Sequence, residues 1–394
     1  MRKLFERLKQ KLNINHKNNK VQFMNIDNCF KINNLEDITE DDIMSYNTII
    51  EQERNQQEEN SYNHDVNLYN STNVYNSVNI VEDIDKDIDK DIDQNNSIID
   101  ISKYKDSLEK MGYVIIPDVY NEKEIQEYWS EFKKWRQTVP DLDYLHNIID
   151  FNGIFKHHQV GHQRFAWLAR TNPKIINIFK QLWNTDELVT SFDGCCYYPS
   201  DYIGEPRYWT HSDQSSRKKG LTCYQSFLSL TDNCERSLLL YRGSHLLHEK
   251  YFTDMNIDEP RDWNIIDENY IKDLYDRQEI LEVKKGDLVI WDSRLFHQNT
   301  CGTPTCDEER LIQYLCYLPK NSEKNNVKEQ LQRRKYFETL RTSSHWPYPM
   351  NVIPKQPNLY NYYIENLEDK IYINYESLPK PHIHDLVSKI EKLL

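Results

Sequence analysis

The sequence predicts a mainly β fold with flanking helices, its core a double-stranded β-helix of the jelly-roll, cupin-like kind. Three observations predict it. Helical patterns fill the first part of the region with folding potential, and strand-like runs crowd the second, at 187–198, 221–231, 237–242, 280–284, 286–292 and 310–318. The long helices that parallel strands need for their crossovers are missing between those runs. The 394 residues include only 9 Gly and no phosphate-cradling glycine loop, so a nucleotide-binding α/β fold has no support.

Along the chain, residues 1–12 place Leu4, Leu8 and Leu12 on one helical face among basic residues. A short frayed helix is the plain reading, and a membrane-surface or organelle-targeting helix the alternative. Through residue 100, Asn, Asp, Glu, Ile and Tyr dominate. Asp83-Ile84-Asp85-Lys86 recurs as Asp87-Ile88-Asp89-Lys90 and nearly again as Asp91-Ile92-Asp93-Gln94. Repetition of this kind is expected of replication slippage in an AT-rich gene rather than of a folded repeat, and a large DNA virus or a protist would produce such a composition. With few apolar side chains to offset ordering entropy, 1–100 is expected to be a low-complexity, disordered extension.

A domain over 101–350 follows, and 351–394 form an extension that packs on it or trails from it. Residues 102–111 read as a helix, and Tyr113 to Ile116 as a strand closed by Pro117. Asn121 caps the next helix with Glu124 three residues on, and Ile125, Trp129, Phe132 and Trp135 form its apolar stripe. His157, His158 and His162 have no acidic neighbour and no shared helical face, which argues against a second metal site. Asn172-Pro173 starts a helix with Ile175, Ile176, Phe179, Leu182 and Trp183 on one side. The polar, aromatic stretch 246–278 reads as a long loop, either a substrate lid or a surface insertion. A charged helix near 326–341 and an amphipathic one over 384–394 close the chain.

The chemistry is carried by His211-Ser212-Asp213 and His297. Residues two apart on a strand point the same way, so His211 and Asp213 share a face. Two imidazoles and one carboxylate hold a redox iron on one side and leave the other open. His297 follows a strand-turn-strand pattern through Gly286-Asp287. Arg310 opens the apolar run 311–318, where a guanidinium can grip a carboxylate with two parallel hydrogen bonds. Gln225 and Asn299 point toward the same site if the strands run as read. Trp209 is expected in the pocket wall. Lys218, Lys219 and Arg294 read by default as solvated surface charge, with contact to an anionic substrate as the alternative.

This ordered set resembles the phytanoyl-CoA dioxygenase family of iron(II)/2-oxoglutarate oxygenases. Gly243-Ser244-His245, Gly286-Asp287-Leu288-Val289 before Asp292-Ser293-Arg294, and Gln313-Tyr314 after the arginine agree with it, as does Gly112-Tyr113-Val114-Ile115-Ile116-Pro117 upstream. The resemblance covers roughly 101–350. It implies Fe(II) on His211, Asp213 and His297, and 2-oxoglutarate anchored by Arg310 with Gln225 and Asn299 in contact. Dioxygen and a small-molecule substrate complete the set, and succinate and CO2 leave. Gly161-His162 and Trp167-x-x-Arg170 resemble one branch of the family, which implies Arg170 or His162 at the pocket. Halogenating relatives carry a small residue where Asp213 stands, so hydroxylation is implied. Ser237 to Arg242 and Gln298-Asn299-Thr300 depart from the family's glycine-rich pattern, and no CoA-binding signature supports an acyl-CoA substrate.

Net charge of −14 leaves no basic footprint for nucleic acid. Eight Cys without regular spacing, and no apolar run near the roughly 20 residues of a membrane span, read as a soluble, cytoplasmic protein. Two rivals stand beside the oxygenase. One is a degenerate jelly-roll interaction protein recruiting partners through its Asn/Asp-rich segment. The other is a cupin-like metalloenzyme without 2-oxoglutarate, in which Arg310 merely pairs with Asp307 or Glu308.

Overall fold

The computed structural model describes residues 99–149, 152–204, 206–357 and 372–394. The helix expected at 1–12 and nearly all of the expected disordered extension lie outside the described residues. In chain order the elements are α1 (Ser102–Met111), β1 (Tyr113–Ile116), α2 (Glu122–Thr138), α3 (Leu142–Ile149), β2 (Ile154–Phe155), α4 (Arg164–Arg170) and α5 (Pro173–Trp183). β3 (Leu188–Thr190), β4 (Cys195–Tyr198), β5 (His211–Ser212), β6 (Tyr224–Ser229), β7 (Leu238–Tyr241), α6 (His248–Asp254), β8 (Asn264–Ile265) and α7 (Glu268–Lys272) come next. β9 (Gln278–Ile280), β10 (Leu288–Asp292), β11 (His297–Asn299), β12 (Arg310–Pro319), α8 (Val327–Glu338) and α9 (Val387–Glu391) complete the set.

Local chemistry sets the early boundaries. Gly112 ends α1 at φ 84, its N–H donating to the Leu108 carbonyl. Asn121 and Glu124 close a reciprocal capping box at the start of α2. The buried stripe of α2 is Ile125, Tyr128, Phe132 and Trp135. Trp129, expected within it, is half-buried and donates its indole N–H to the Leu230 carbonyl at 3.0 Å. Asn172 caps α5 through the N–H of Lys174 at 2.9 Å, ahead of Pro173 at the first helical position.

Two antiparallel sheets face each other. The larger runs β1-β10-β6-β12-β4-β2, with β3 also on β12, and the smaller runs β8-β5-β11-β7-β9. Strand alternation sorts their side chains. Val289 and Trp291 of β10 and Phe227 of β6 join Leu238 and Leu240 of β7 in the inner cluster. Ile290 and Leu228 point outward, among Phe132, Phe165 and Phe179 of α2, α4 and α5. Each such fully buried side chain contributes about 1.5–3 kcal/mol. Gly286 makes the turn into β10 at φ 95, and a Cβ there would stand 2.5 Å from the Tyr120 carbonyl oxygen.

Four expectations need correction. The run 187–198 is two strands, because Phe192 leaves the ladder to donate its N–H to Ser343 Oγ at 2.9 Å and accept the Ser343 N–H at 3.0 Å. The strand placed at 280–284 lies at Gln278–Ile280, and Val283 keeps only an isolated bridge to Asn233. The stretch 246–278 is no loop: it folds as α6, β8 and α7, and β8 pairs with β5. The final helix shortens to Val387–Glu391. Leu386, Ile390 and Leu394 of this last segment pack with Trp167, Phe192 and Met350 of the domain. Among the described residues, no helix is long and apolar enough to cross a membrane.

Candidate metal centre

β5 and β11 are neighbours in the smaller sheet, with His297 directly opposite His211. Their rings are 4.5 Å apart between centroids. Asp213, one residue beyond β5, is held by its own N–H, which donates to the Ser293 carbonyl at 2.9 Å. Its Oδ2 then lies 3.5 Å from His211 Nε2 and 3.3 Å from His297 Nε2. Among the described residues, this trio is the group able to hold a metal ion, all three buried and with ligand atoms within 4.8 Å of one another.

The hydrogen bonds around the trio fit a metal. His211 Nδ1 is 2.9 Å from the Trp209 carbonyl and His297 Nδ1 is 2.8 Å from the Leu295 carbonyl. A carbonyl only accepts, so Nδ1 carries the proton in each ring and the Nε2 lone pairs converge on the centre. Gln225 donates Nε2–H to Asp213 Oδ2 at 3.0 Å and fixes the carboxylate plane. Burial alone would raise the Asp213 pKa, but His345, His211 and His297 outweigh it and hold the group well below the carboxylate range. Burial, and the neighbouring His211, lower His297. Asp213 is thus held in the ionised form in which a carboxylate binds a cation.

Arg310, at the start of β12, is 1 % exposed. Its guanidinium donates to Asn299 Oδ1 at 3.1 Å and to Cys196 Sγ at 3.5 Å, and lies over the Phe227 ring at 5.7 Å. Among the described residues no carboxylate pairs with it. Glu308 instead accepts from the N–H groups of Cys234, Glu235 and Arg236. A buried, fork-shaped cation without a counter-ion could hold a carboxylate with two parallel hydrogen bonds, since leaving it unpaired costs on the order of several kcal/mol. Asn299 stands two residues beyond His297, on the same face of β11, and donates Nδ2–H to Tyr314 Oη at 2.8 Å. Asn299 thus links the arginine to the metal side of the pocket.

Trp209 stacks on His211 with centroids 4.9 Å apart and donates its indole N–H to the Asn299 carbonyl. Trp263, just before β8, faces the same imidazole at 5.6 Å and is 52 % exposed, which puts an aromatic at the mouth. Sequence reading missed Trp263, for which spacing gave no signal. Tyr314 was read only as part of the family pattern after the arginine, although even spacing from Arg310 along β12 puts the two on one face.

Two expected substrate residues are occupied elsewhere. Arg170 is fully buried, and its guanidinium donates to the carbonyls of Gly161 and Asp193. It ties loops together rather than facing a substrate. His162 is likewise buried, with Nε2 2.9 Å from the Arg341 carbonyl. Arg294 forms a two-pronged pair with Asp292 at 2.9 and 2.7 Å, so its charge is already met. Lys218 and Lys219 are similarly matched by Asp262 at 2.7 Å and Glu249 at 3.6 Å.

Residues 108–300 match the family model described as phytanoyl-CoA dioxygenase. A curated relative, Ava biosynthesis cluster protein O of Aspergillus versicolor, is 28% identical over 276 residues, covering 62% of this chain and 86% of the relative. Among solved structures, EctD from S. alaskensis with bound Fe has 16% identity and a TM-score of 0.40, over 57% of this chain and 79% of its own. The epimerase SnoN, solved with Fe3+, alpha ketoglutarate and nogalamycin RO, has 18% identity and a TM-score of 0.42, over 56% and 83%.

Proposed function

From the premise that residues 108–300 belong to the phytanoyl-CoA dioxygenase family, we propose that this oxygenase depends on Fe(II) and 2-oxoglutarate and hydroxylates a small molecule. His211, Asp213 and His297 would hold the iron. Arg310 would bind the distal carboxylate of 2-oxoglutarate, with Asn299 and Gln225 lining its path. Iron(II) with 2-oxoglutarate and dioxygen supplies the power to oxidise an unactivated C–H bond, with succinate and CO2 as co-products.

The chain's own contribution is positioning and exclusion. The Trp209 and Leu295 carbonyls orient the two imidazoles, and Gln225 orients the carboxylate. His211, Asp213 and His297 would supply three ligands, fewer than an iron takes, and so would leave positions for cosubstrate, oxygen and substrate. Trp209 and Trp263 flank His211 and keep bulk water from that side of the reacting centre. Asp213 fills the ligand position that a chloride-binding site would need vacant, which favours hydroxylation.

The observation that carries the reading is Arg310, a buried guanidinium whose partners are neutral, linked through Asn299 to the strand that bears His297. A cupin-like site without 2-oxoglutarate has no use for it. Purified protein given Fe(II), 2-oxoglutarate and oxygen should release succinate, and His211→Ala and Asp213→Ala should abolish that release. Equal turnover in those variants would sink the assignment.

A further inference from the structure

One row of residues crosses the smaller sheet. Leu240 of β7 stands opposite His297 of β11, His297 opposite His211 of β5, and His211 opposite Ile265 of β8. Directly opposed residues share a face, so Ile265 lies on the inner side with both imidazoles. Burial along the row is uneven: Leu240 and the two histidines are buried, while Ile265 is 44 % exposed. Trp263, two residues before Ile265 and 5.6 Å from the His211 ring between centroids, is 52 % exposed. The alternate residues of the same segment behave in the opposite way. Asn264 and Ile266 are buried, Ile266 in the outer cluster with Tyr251, Phe252 and Phe296.

A β-sandwich buries its inner faces, yet this edge strand buries its outer side and leaves large apolar side chains of the inner one in solvent. The uncovered strip begins at a metal ligand, and Trp209, stacked on His211 at 4.9 Å, continues it. An apolar strip that runs into a reactive centre is the expected form of a ligand wall. The segment is also fixed in place. Ser215 donates its N–H to Asp262 Oδ1 at 3.0 Å, and Asn264 donates Nδ2–H to the Arg261 carbonyl at 3.0 Å. Its charges have partners: Arg217 meets Asp258 at 2.7 Å, Lys218 meets Asp262 at 2.7 Å and Arg261 meets Glu259 at 2.9 Å. What the edge offers a ligand is therefore apolar surface. Two such side chains expose on the order of 200 Å², well under the roughly 800 Å² that each partner of a stable protein interface buries, so the strip suits a small molecule rather than a second copy.

We propose that Trp263 and Ile265 are specificity-determining residues that receive an uncharged, apolar ring of the substrate, laid along the open inner face of β8. This rests on the oxygenase reading for the position of the carbon that is oxidised. Neither residue belongs to the iron or 2-oxoglutarate set.

Three six-membered-ring probes test this: benzyl alcohol, cyclohexylmethanol and myo-inositol. Each is titrated into the full chain loaded with Mn(II), a paramagnetic ion whose own binding is read by electron spin resonance. Affinity and closeness to the metal are read from the Mn(II)-dependent broadening of the probe's proton NMR lines. The two apolar rings should be broadened and should bind at least about tenfold more tightly than myo-inositol, since roughly 50 Å² of apolar contact is worth that much. Trp263→Ala and Ile265→Ser should each remove most of that preference, and Trp263→Phe should restore it to within about threefold. Both positions are exposed, so the variants should keep the Tm and the Mn(II) affinity of the unmodified protein. Equal broadening of myo-inositol, no Mn(II)-dependent broadening of either apolar ring, or a preference that survives both substitutions overturns the proposal. A Trp263→Ala protein that elutes at a smaller size than the unmodified one assigns the strip to a second copy and also overturns it. Mn(II) that binds the unmodified protein no more tightly than His211→Ala overturns the oxygenase reading beneath it.

Discussion

Replacing Arg310 by Met probes the anchor with two effects of opposite sign. Without ligand, the guanidinium is 1 % exposed and meets Asn299 at 3.1 Å and Cys196 at 3.5 Å, both uncharged. An apolar side chain of similar volume should therefore leave the ligand-free protein as stable or more stable, by about 1–4 kcal/mol. With Fe(II) and 2-oxoglutarate the same guanidinium gains a carboxylate. Truncating one partner of a buried, hydrogen-bonded charge pair costs about 2–5 kcal/mol, roughly 30-fold to several thousand-fold in the Kd for 2-oxoglutarate. At 100 times the Kd, ligand stabilises the unmodified protein by about 2.7 kcal/mol. For a domain of this size that is about 5–10 °C in Tm. Anaerobic scanning calorimetry with and without 2-oxoglutarate reads both quantities. Arg310→Met should keep or raise its ligand-free Tm and lose most of the ligand-dependent rise, with Arg310→Lys between in that rise, since it keeps the charge but not the fork. A variant that melts several degrees earlier without ligand, yet keeps the full rise, would refute the reasoning.

Gln225→Leu removes the donor that fixes Asp213 and should weaken Fe(II) binding about 10- to 100-fold in an anaerobic titration. Unchanged affinity would mean that the carboxylate needs no such support. His162, buried in the helical layer, has its pKa lowered to about 3 by burial. The unfolded chain, with an ordinary histidine near 6.5, binds more protons than the native one between these values, so stability rises with pH across that window. Urea midpoints should fall as pH drops from about 6.5 towards 3, and His162→Phe should flatten part of that slope. A slope identical in the variant would show that other groups set the acid limit.

Much of the centre was legible because strand geometry converts spacing into direction. His211 and Asp213, two apart, share a face, and Asn299 shares one with His297 for the same reason. The helix-early, strand-late order suited two facing antiparallel sheets, and the Asn121–Glu124 box and Asn172-Pro173 marked helix starts in local chemistry. What stayed hidden was decided by contacts between distant segments. Phe192 leaves its ladder for Ser343, more than a hundred residues on, and no local pattern announces that. Stretch 246–278 concealed α6 and α7 because helices of 7 and 5 residues show less than two turns of periodicity. Arg170 was misread because its partners are backbone carbonyls, which leave no trace in residue type. Arg294 is different: Asp292 stood two residues away, and the pair was there to be seen.

The junction of β5 with β11 is a single rung, His297 opposite His211, and β5 itself has two residues. Its other edge is carried by β8, which brings Trp263 to the entrance. An ion shared by the two imidazoles would therefore act as a rivet through the weakest seam of the smaller sheet. Occupancy at the centre and order in the outer segment then become one equilibrium, so whatever strips the iron also loosens the doorway through which a replacement must enter.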